Sequence, residues 1–91
     1  MANKEDTLAV LLDDGIDEIT IPLTFVKALA VVESEEAIVL TMMDGTYYVT
    51  EFWSVDEMEQ EAKKFSDYLR DQFGTYTMKC HEWRYWNEQA E

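Results

Sequence analysis

The chain has 91 residues, with 20 Asp and Glu against 7 Lys and Arg, and a formal net charge of −13 at pH 7. Its hydrophobic content of 47% separates it from disordered acidic tails, which cannot bury enough apolar surface to fold. The charge argues against direct binding to nucleic acid or to an anionic membrane. No run of about eighteen apolar residues offers a membrane span.

A length of this order makes one small domain, residues 1–91. Residues 1–6 and 87–91 are polar and are expected to fray. The polar start, Met1 to Asp6, lacks the apolar core of a secretory signal. Cys80 is the only cysteine, so no internal disulfide forms. A reducing, cytoplasmic setting is the expectation.

Leu8 to Leu12 is an apolar run of the buried-strand type. Asp13-Asp14-Gly15 supplies a turn, because Gly permits positive φ and Asp tolerates it. Ile16 to Ile21 places Ile19 and Ile21 on one face, so the two segments predict a hairpin. Pro22 cannot donate to a ladder and marks a strand end. Val26 to Glu33 carries mixed signals. Ala, Leu and Lys favour a helix that Pro22 would start well, whereas Val26, Val31 and Val32 favour a strand; a strand over 26–33 is the expectation. Glu33 to Glu36 is the turn after it.

Ala37 to Met43 and Thr46 to Trp53 flank Asp44-Gly45, a strong short-range hairpin signal. A two-residue turn would pair Met43 with Thr46, Met42 with Tyr47 and Leu40 with Val49. Ile38, Leu40, Met42, Tyr47 and Val49 would then share the core face. Ser54 with Glu57 forms a capping box. Met58, Ala62, Phe65, Leu69 and Phe73 follow at helical spacing, and Gly74 offers a left-handed stop. The spacing predicts a helix over 55–73. Thr75 to His81 alternates like a strand, with Trp83, Tyr85 and Trp86 close behind.

The predicted architecture is α+β, two-layer: an antiparallel meander of four to six strands, with hairpins at 13–15 and 44–45, packed against the one long helix. Residues 26–69 run strand, Glu-rich turn, strand, Gly turn, Tyr-Tyr-Val strand and Ser-Val-Asp-Glu helix start. In that order they resemble small flagellar proteins of the FlbD type. The resemblance implies a meander plus helix and carries no function.

No chemical signature stands out. Cys80 and His81 are strand neighbours and point to opposite faces, so they cannot act as a pair. No second Cys or His completes a zinc site. Asp13, Asp14, Asp17 and Glu18 surround Gly15, but the spacing is not that of a calcium loop, and a solvated turn is the simpler reading. There is no phosphate loop or Gly-x-Ser-x-Gly nucleophile motif. Acidic pairs are too abundant for any one to mark a catalytic centre. The expectation is a protein that is not an enzyme, with no catalytic, metal or cofactor site.

The acids fall in patches: Asp13, Asp14, Asp17 and Glu18; Glu33, Glu35 and Glu36; Asp56, Glu57, Glu59 and Glu61. Alternate residues of a strand lie about 6.6–6.8 Å apart, and residues three or four apart on a helix about 5–6 Å. Both spacings are comparable to those of successive phosphates, and Arg and Lys grooves bind carboxylates as they bind phosphates. The predicted function is a non-enzymatic acidic inhibitor or interaction protein. Its partner would be a basic protein, such as a nucleic-acid-binding enzyme or complex. In size and charge the chain is similar to the DNA mimics that phages use as anti-restriction and anti-CRISPR proteins. Trp83, Tyr85 and Trp86 are candidate packing contacts, since Trp and Tyr dominate binding hot spots. The alternative is an assembly module, forming a homodimer or a larger complex through an edge strand and the aromatic C-terminal segment.

Overall fold

The computed structural model describes residues 8–72 and 74–87. The expected fraying of residues 1–6 and 88–91, and the helical placement of Phe73, lie outside the described residues. In chain order the elements are β1 (Ala9–Asp13), β2 (Glu18–Pro22), β3 (Val26–Val32), β4 (Ala37–Met42), β5 (Tyr47–Glu51), α1 (Val55–Asp71), β6 (Thr75–Lys79) and β7 (Glu82–Trp86).

The class is α+β, as expected. The strands differ from the expected single meander. They number seven among the described residues and form two sheets, ordered β2-β1-β6 and β3-β4-β5-β7. β1 and β6 run parallel, and the other pairs are antiparallel. The second sheet arises because the chain changes sheet three times, once across α1 from β5 to β6 and twice at corners. One is the short 3₁₀ turn Leu23–Phe25 between β2 and β3, and the other is Cys80-His81 between β6 and β7. Alternating patterns report a strand's faces but not its neighbours, so these corners read as ordinary turns.

The two sheets turn their apolar faces toward each other, and α1 closes the space between them. Val10, Leu12, Ile21 and Met78 come from the first sheet. Ile38, Leu40 and Met42 come from the second, and Met58, Phe65 and Tyr68 from the helix. Phe65 is fully buried, with its ring centroid 6.0 Å from Tyr68 and 5.2 Å from Tyr76. The Tyr68 hydroxyl donates to the Gly74 carbonyl at 2.7 Å, which ties the helix end to the start of β6. Burial in this core pushes the Tyr68 phenol above its ordinary value.

The hairpin register corrects the expectation for β5. The turn holds three residues, Met43 to Gly45, rather than two. The Met42 amide donates to the Thr46 carbonyl at 2.8 Å, and Gly45 takes φ +90°. This is a tight turn followed by a left-handed glycine, the form in which the extra residue becomes a bulge. Asp44 stabilises it by accepting from both the Thr46 amide (3.0 Å) and the Thr46 hydroxyl (2.7 Å). One added residue shifts the pairing by one, so Leu40 faces Tyr48 and Val39 faces Val49. A shift of one reverses every side chain of the strand. Tyr48 and Thr50 therefore point to the core side, while Tyr47 and Val49 lie on the outer face. Thr50 is fully buried and donates its hydroxyl to the Ile38 carbonyl at 2.9 Å.

The helix begins where its capping box places it, with the Ser54 hydroxyl accepting from the Glu57 amide at 3.2 Å. It ends at Asp71 rather than at 73. Gln72 already takes a left-handed conformation, φ +47°, and Gly74 follows at φ +70°. The ambiguous 26–33 segment is a strand, as expected, but it ends at Val32: β4 pairs with it from Val26 to Val32 with a bulge at Lys27, and Glu33 begins a 3₁₀ turn. The β1–β2 turn spans residues 14–17 rather than 13–15, with the Asp14 amide donating to the Asp17 carbonyl at 3.2 Å, so β2 begins at Glu18 rather than at Ile16.

Candidate functional site

The acidic turns are separate in sequence, but the topology brings them to one end of the molecule. The second sheet aligns Ala37 with Glu51 and Glu51 with Glu82. The Phe52 amide donates to the Glu36 carbonyl at 2.9 Å, so the Glu33–Glu36 turn adjoins the start of α1. The Cys80 amide donates to the Asp13 carbonyl at 3.0 Å and the His81 amide to the Glu51 carbonyl at 2.8 Å. The β6–β7 corner thus joins the ends of β1 and β5. Gathered at this acidic end are Asp13, Asp14, Asp17 and Glu18; Glu33, Glu35 and Glu36; Glu51 and Glu82; and Asp56 and Glu57 at the helix start.

Three cations border it: Arg84 pairs with Glu51, Lys79 aligns with Asp13 across β1 and β6, and Lys64 lines a cleft with Glu57 and Lys79. Among the described residues, ion pairs join Arg70 to Asp67 and Asp71, at the far end of the helix, and Arg84 to Glu51 at 2.6 Å. Two of the β1–β2 acids, Asp13 and Asp14, are held in fixed orientations. Asp13 accepts from the Gly15 amide at 2.8 Å, and Asp14 accepts from the Asp17 amide at 2.7 Å and the Ile16 amide at 2.9 Å. The amides of Asp17 and Ile16 hold the Asp14 carboxyl below its ordinary value. Asp56 and Glu57 lie in the first turn of α1, where the helix dipole favours negative charge. Among the described residues, no three His, Cys, Asp or Glu side chains come together to hold a metal ion.

Not every acid named from the sequence belongs to this surface. Glu59 lies one turn along α1. Glu61 is half-buried and accepts from the Tyr76 hydroxyl, so its carboxylate faces β6. Burial, followed by the neighbouring Glu61 carboxylate, pushes the Tyr76 phenol far above its ordinary value. Glu61 lines a cleft of about 200 Å³ with Phe52, Trp53, Glu57, Gln60, Lys64 and Lys79.

The aromatic candidates spread along β7. Trp83 is half-buried at the acidic end, its indole N–H donating to the Asp17 carbonyl at 3.1 Å. Tyr85 is half-exposed, with its ring centroid 5.0 Å from Tyr48. Trp86 is exposed on the opposite, outer face, at the far end of the strand. Two features escaped the sequence reading. Trp53 is 58% exposed at the acidic end and makes an edge contact with His81 at 5.6 Å. It was read as a strand residue, and only the turn before Ser54 throws it outward. The second feature is an open groove of about 490 Å³ at the far end, walled by Ile21, Pro22, Phe25, Met42, Met43, Tyr48 and Tyr85. Its parts come from the β2–β3 corner, the β4–β5 hairpin and β7, which are distant in sequence.

Cys80 and His81 sit as expected, one buried and one exposed. Burial, reinforced by the charges of Asp14 and Asp13, pushes the Cys80 thiol up to about 12. No helix among the described residues is long and apolar enough to cross a membrane. No protein-family model, curated protein or solved structure matches the chain.

Proposed function

We propose that this protein is a non-enzymatic acidic binding protein whose partner presents a basic, nucleic-acid-binding surface. Its mode of action is competitive, in the manner of a DNA mimic of the phage anti-restriction or anti-CRISPR type. One observation supports this reading above the others: the acidic turns converge on one end, where they outnumber the bordering cations Lys64, Lys79 and Arg84. Carboxylates fixed by backbone amides offer a partner's Arg and Lys groups a preorganised set of acceptors, as a phosphate backbone does. Trp53 stands exposed among these acids and Trp83 lies beside them, in the position of packing anchors surrounded by charge. Such a protein acts where nucleic-acid enzymes work, and a reducing cytoplasm is consistent with a single unpaired cysteine.

The test is capture of partners from a lysate at low and at high salt, with and without duplex DNA as competitor. The expected result is a basic nucleic-acid-binding protein, retained at low salt and released by salt or by DNA. The pair Glu36→Lys and Asp56→Lys, and separately Trp53→Ala, are expected to weaken that capture. Retention that ignores salt, DNA and the charge reversals would sink the proposal.

A further inference from the structure

The β3 edge differs from the edges at β2 and β7. The Met42–Thr46 and Phe52–Glu36 hydrogen bonds fix which β4 residues face β5. They are Ile38, Leu40 and Met42, so Ala37, Val39 and Thr41 bond to β3 at Val32, Ala30 and Ala28. The backbone N–H and C=O groups of Leu29 and Val31 therefore point away from the sheet. Edge strands are normally blunted by charge, proline or a bulge. The β2 edge carries Glu18 and Pro22, and β7 carries Glu82 and Arg84. β3 has a bulge at Val26–Ala28 with Lys27, and beyond it Ala28 to Val32 carries neither charge nor proline. Val31 is 43% exposed, although it lies on the core face.

We propose that this edge is a self-association site, where a second copy of the chain pairs antiparallel to β3 about a two-fold axis at Ala30. In that register Leu29 of each copy exchanges hydrogen bonds with Val31 of the other, which satisfies the outward backbone groups and covers the exposed Val31 side chain. Ala30 meets its own equivalent, and its small side chain allows the close approach of a pair without hydrogen bonds. Continued just past the regular strand, the same register brings Lys27, in the bulge, toward Glu33 of the other copy, at the start of the 3₁₀ turn. Lys27 is exposed and forms no ion pair within the chain among the described residues. The antiparallel arrangement also places the two acidic ends at opposite ends of the joined eight-stranded sheet, which limits repulsion between chains of net charge −13. A two-fold contact uses both edges and closes, so it stops at a dimer.

Sedimentation equilibrium of the full chain tests this at about 0.15 M salt and at 1 M salt, where the Debye length is about 3 Å. The expected mass is twice the 10.7 kDa of the chain, with tighter association at 1 M as the net repulsion is screened. At the lower salt, Lys27→Glu is expected to raise the dimer dissociation constant about tenfold by setting like charges across the strands. The double variant Lys27→Glu/Glu33→Lys restores it. Val31→Pro removes an outward N–H without touching the β4 ladder and is expected to leave a folded monomer. A chain that stays monomeric at 1 M salt overturns the proposal. So does a dimer indifferent to Lys27→Glu, or one that the double variant fails to restore. If the chain is monomeric alone and its β3 amides gain exchange protection only with a basic partner, the edge belongs to that partner instead. Association that strengthens with salt is separable from acidic-end binding, which weakens with it.

Discussion

Replacing Tyr76 by Phe isolates one polar contact between the aromatic core and the cleft around Glu61. The ring keeps its stacking partners, Phe65 at 5.2 Å and Tyr68 at 5.3 Å, and only the hydroxyl that donates to Glu61 is lost. A hydrogen bond to a charged group contributes about 1.5–3 kcal/mol when fully buried. Both residues here are half-buried, and Lys64 and Lys79 line the same cleft. Water and the lysines can take up part of the lost interaction, so the expected cost is about 1 kcal/mol. For a domain of this size that lowers Tm by about 4–8 °C. Urea unfolding, with the slope checked for constancy, measures the loss. A double-mutant cycle with Glu61→Gln assigns it to the pair. Glu61→Gln is also expected to leave capture of a basic partner unchanged, because its carboxylate is turned toward β6. A coupling near zero, or a Glu61→Gln variant that binds as poorly as the acidic-end reversals, would falsify the separation of Glu61 from the binding surface.

Three further outcomes follow from the packing and the titrating groups. Phe65→Ala, at the fully buried centre of the helix face, is expected to cost about 3–5 kcal/mol. That is a large share of the roughly 5–13 kcal/mol available to a chain of this length, so circular dichroism is expected to show a much lower Tm or a partly unfolded population. The Asp44 carboxyl is held below its ordinary value by the Thr46 hydroxyl and amide. Its stabilisation is therefore complete above the unfolded value of about 3.9 and is lost as pH falls through the lower folded value. The Tm advantage of the native chain over Asp44→Asn should shrink as pH falls below about 4, and a pH-independent difference would contradict this. Cys80, buried and with its thiol pushed up to about 12, is expected to ignore a thiol reagent at pH 8 until denaturant is added.

Local chemistry made much of the fold legible. The Ser54–Glu57 cap, the helical spacing of Met58, Phe65 and Leu69, and the strand character of Val31 and Val32 are decided within a few residues, and the structure keeps them. The β4–β5 register was not legible, because Asp-Gly serves two-residue and three-residue turns alike. Choosing between them inverted Tyr47, Tyr48, Val49 and Thr50. The choice rests on Asp44 capturing the Thr46 amide and hydroxyl, and on Gly45 taking the bulge position. The parallel β1–β6 pair was invisible because nothing near Val10 announces a neighbour such as Tyr76. The acidic patches could be read one at a time. Their convergence depends on the Cys80–Asp13 and His81–Glu51 hydrogen bonds, which no sequence pattern encodes. Trp53 was misplaced for the same reason, since its exposure follows from where the Ser54 cap turns the chain.

The pairing of β1 with β6 also bears on how this molecule is made. β1 is synthesised early, and its β2 neighbour follows at once, but its other neighbour leaves the ribosome only after the whole meander and α1. Until Thr75 to Lys79 arrive, Val10 and Leu12 lack the Met78 side of their core and β1 keeps an open edge. Such non-local closure comes late because loop entropy must be overcome before the contact is rewarded. Nascent chains paused before residue 75 would carry β1 with one edge open, a target for chaperones. The strong negative charge already present by then would repel one unfinished copy from another and keep the chain soluble while it waits for its last two strands.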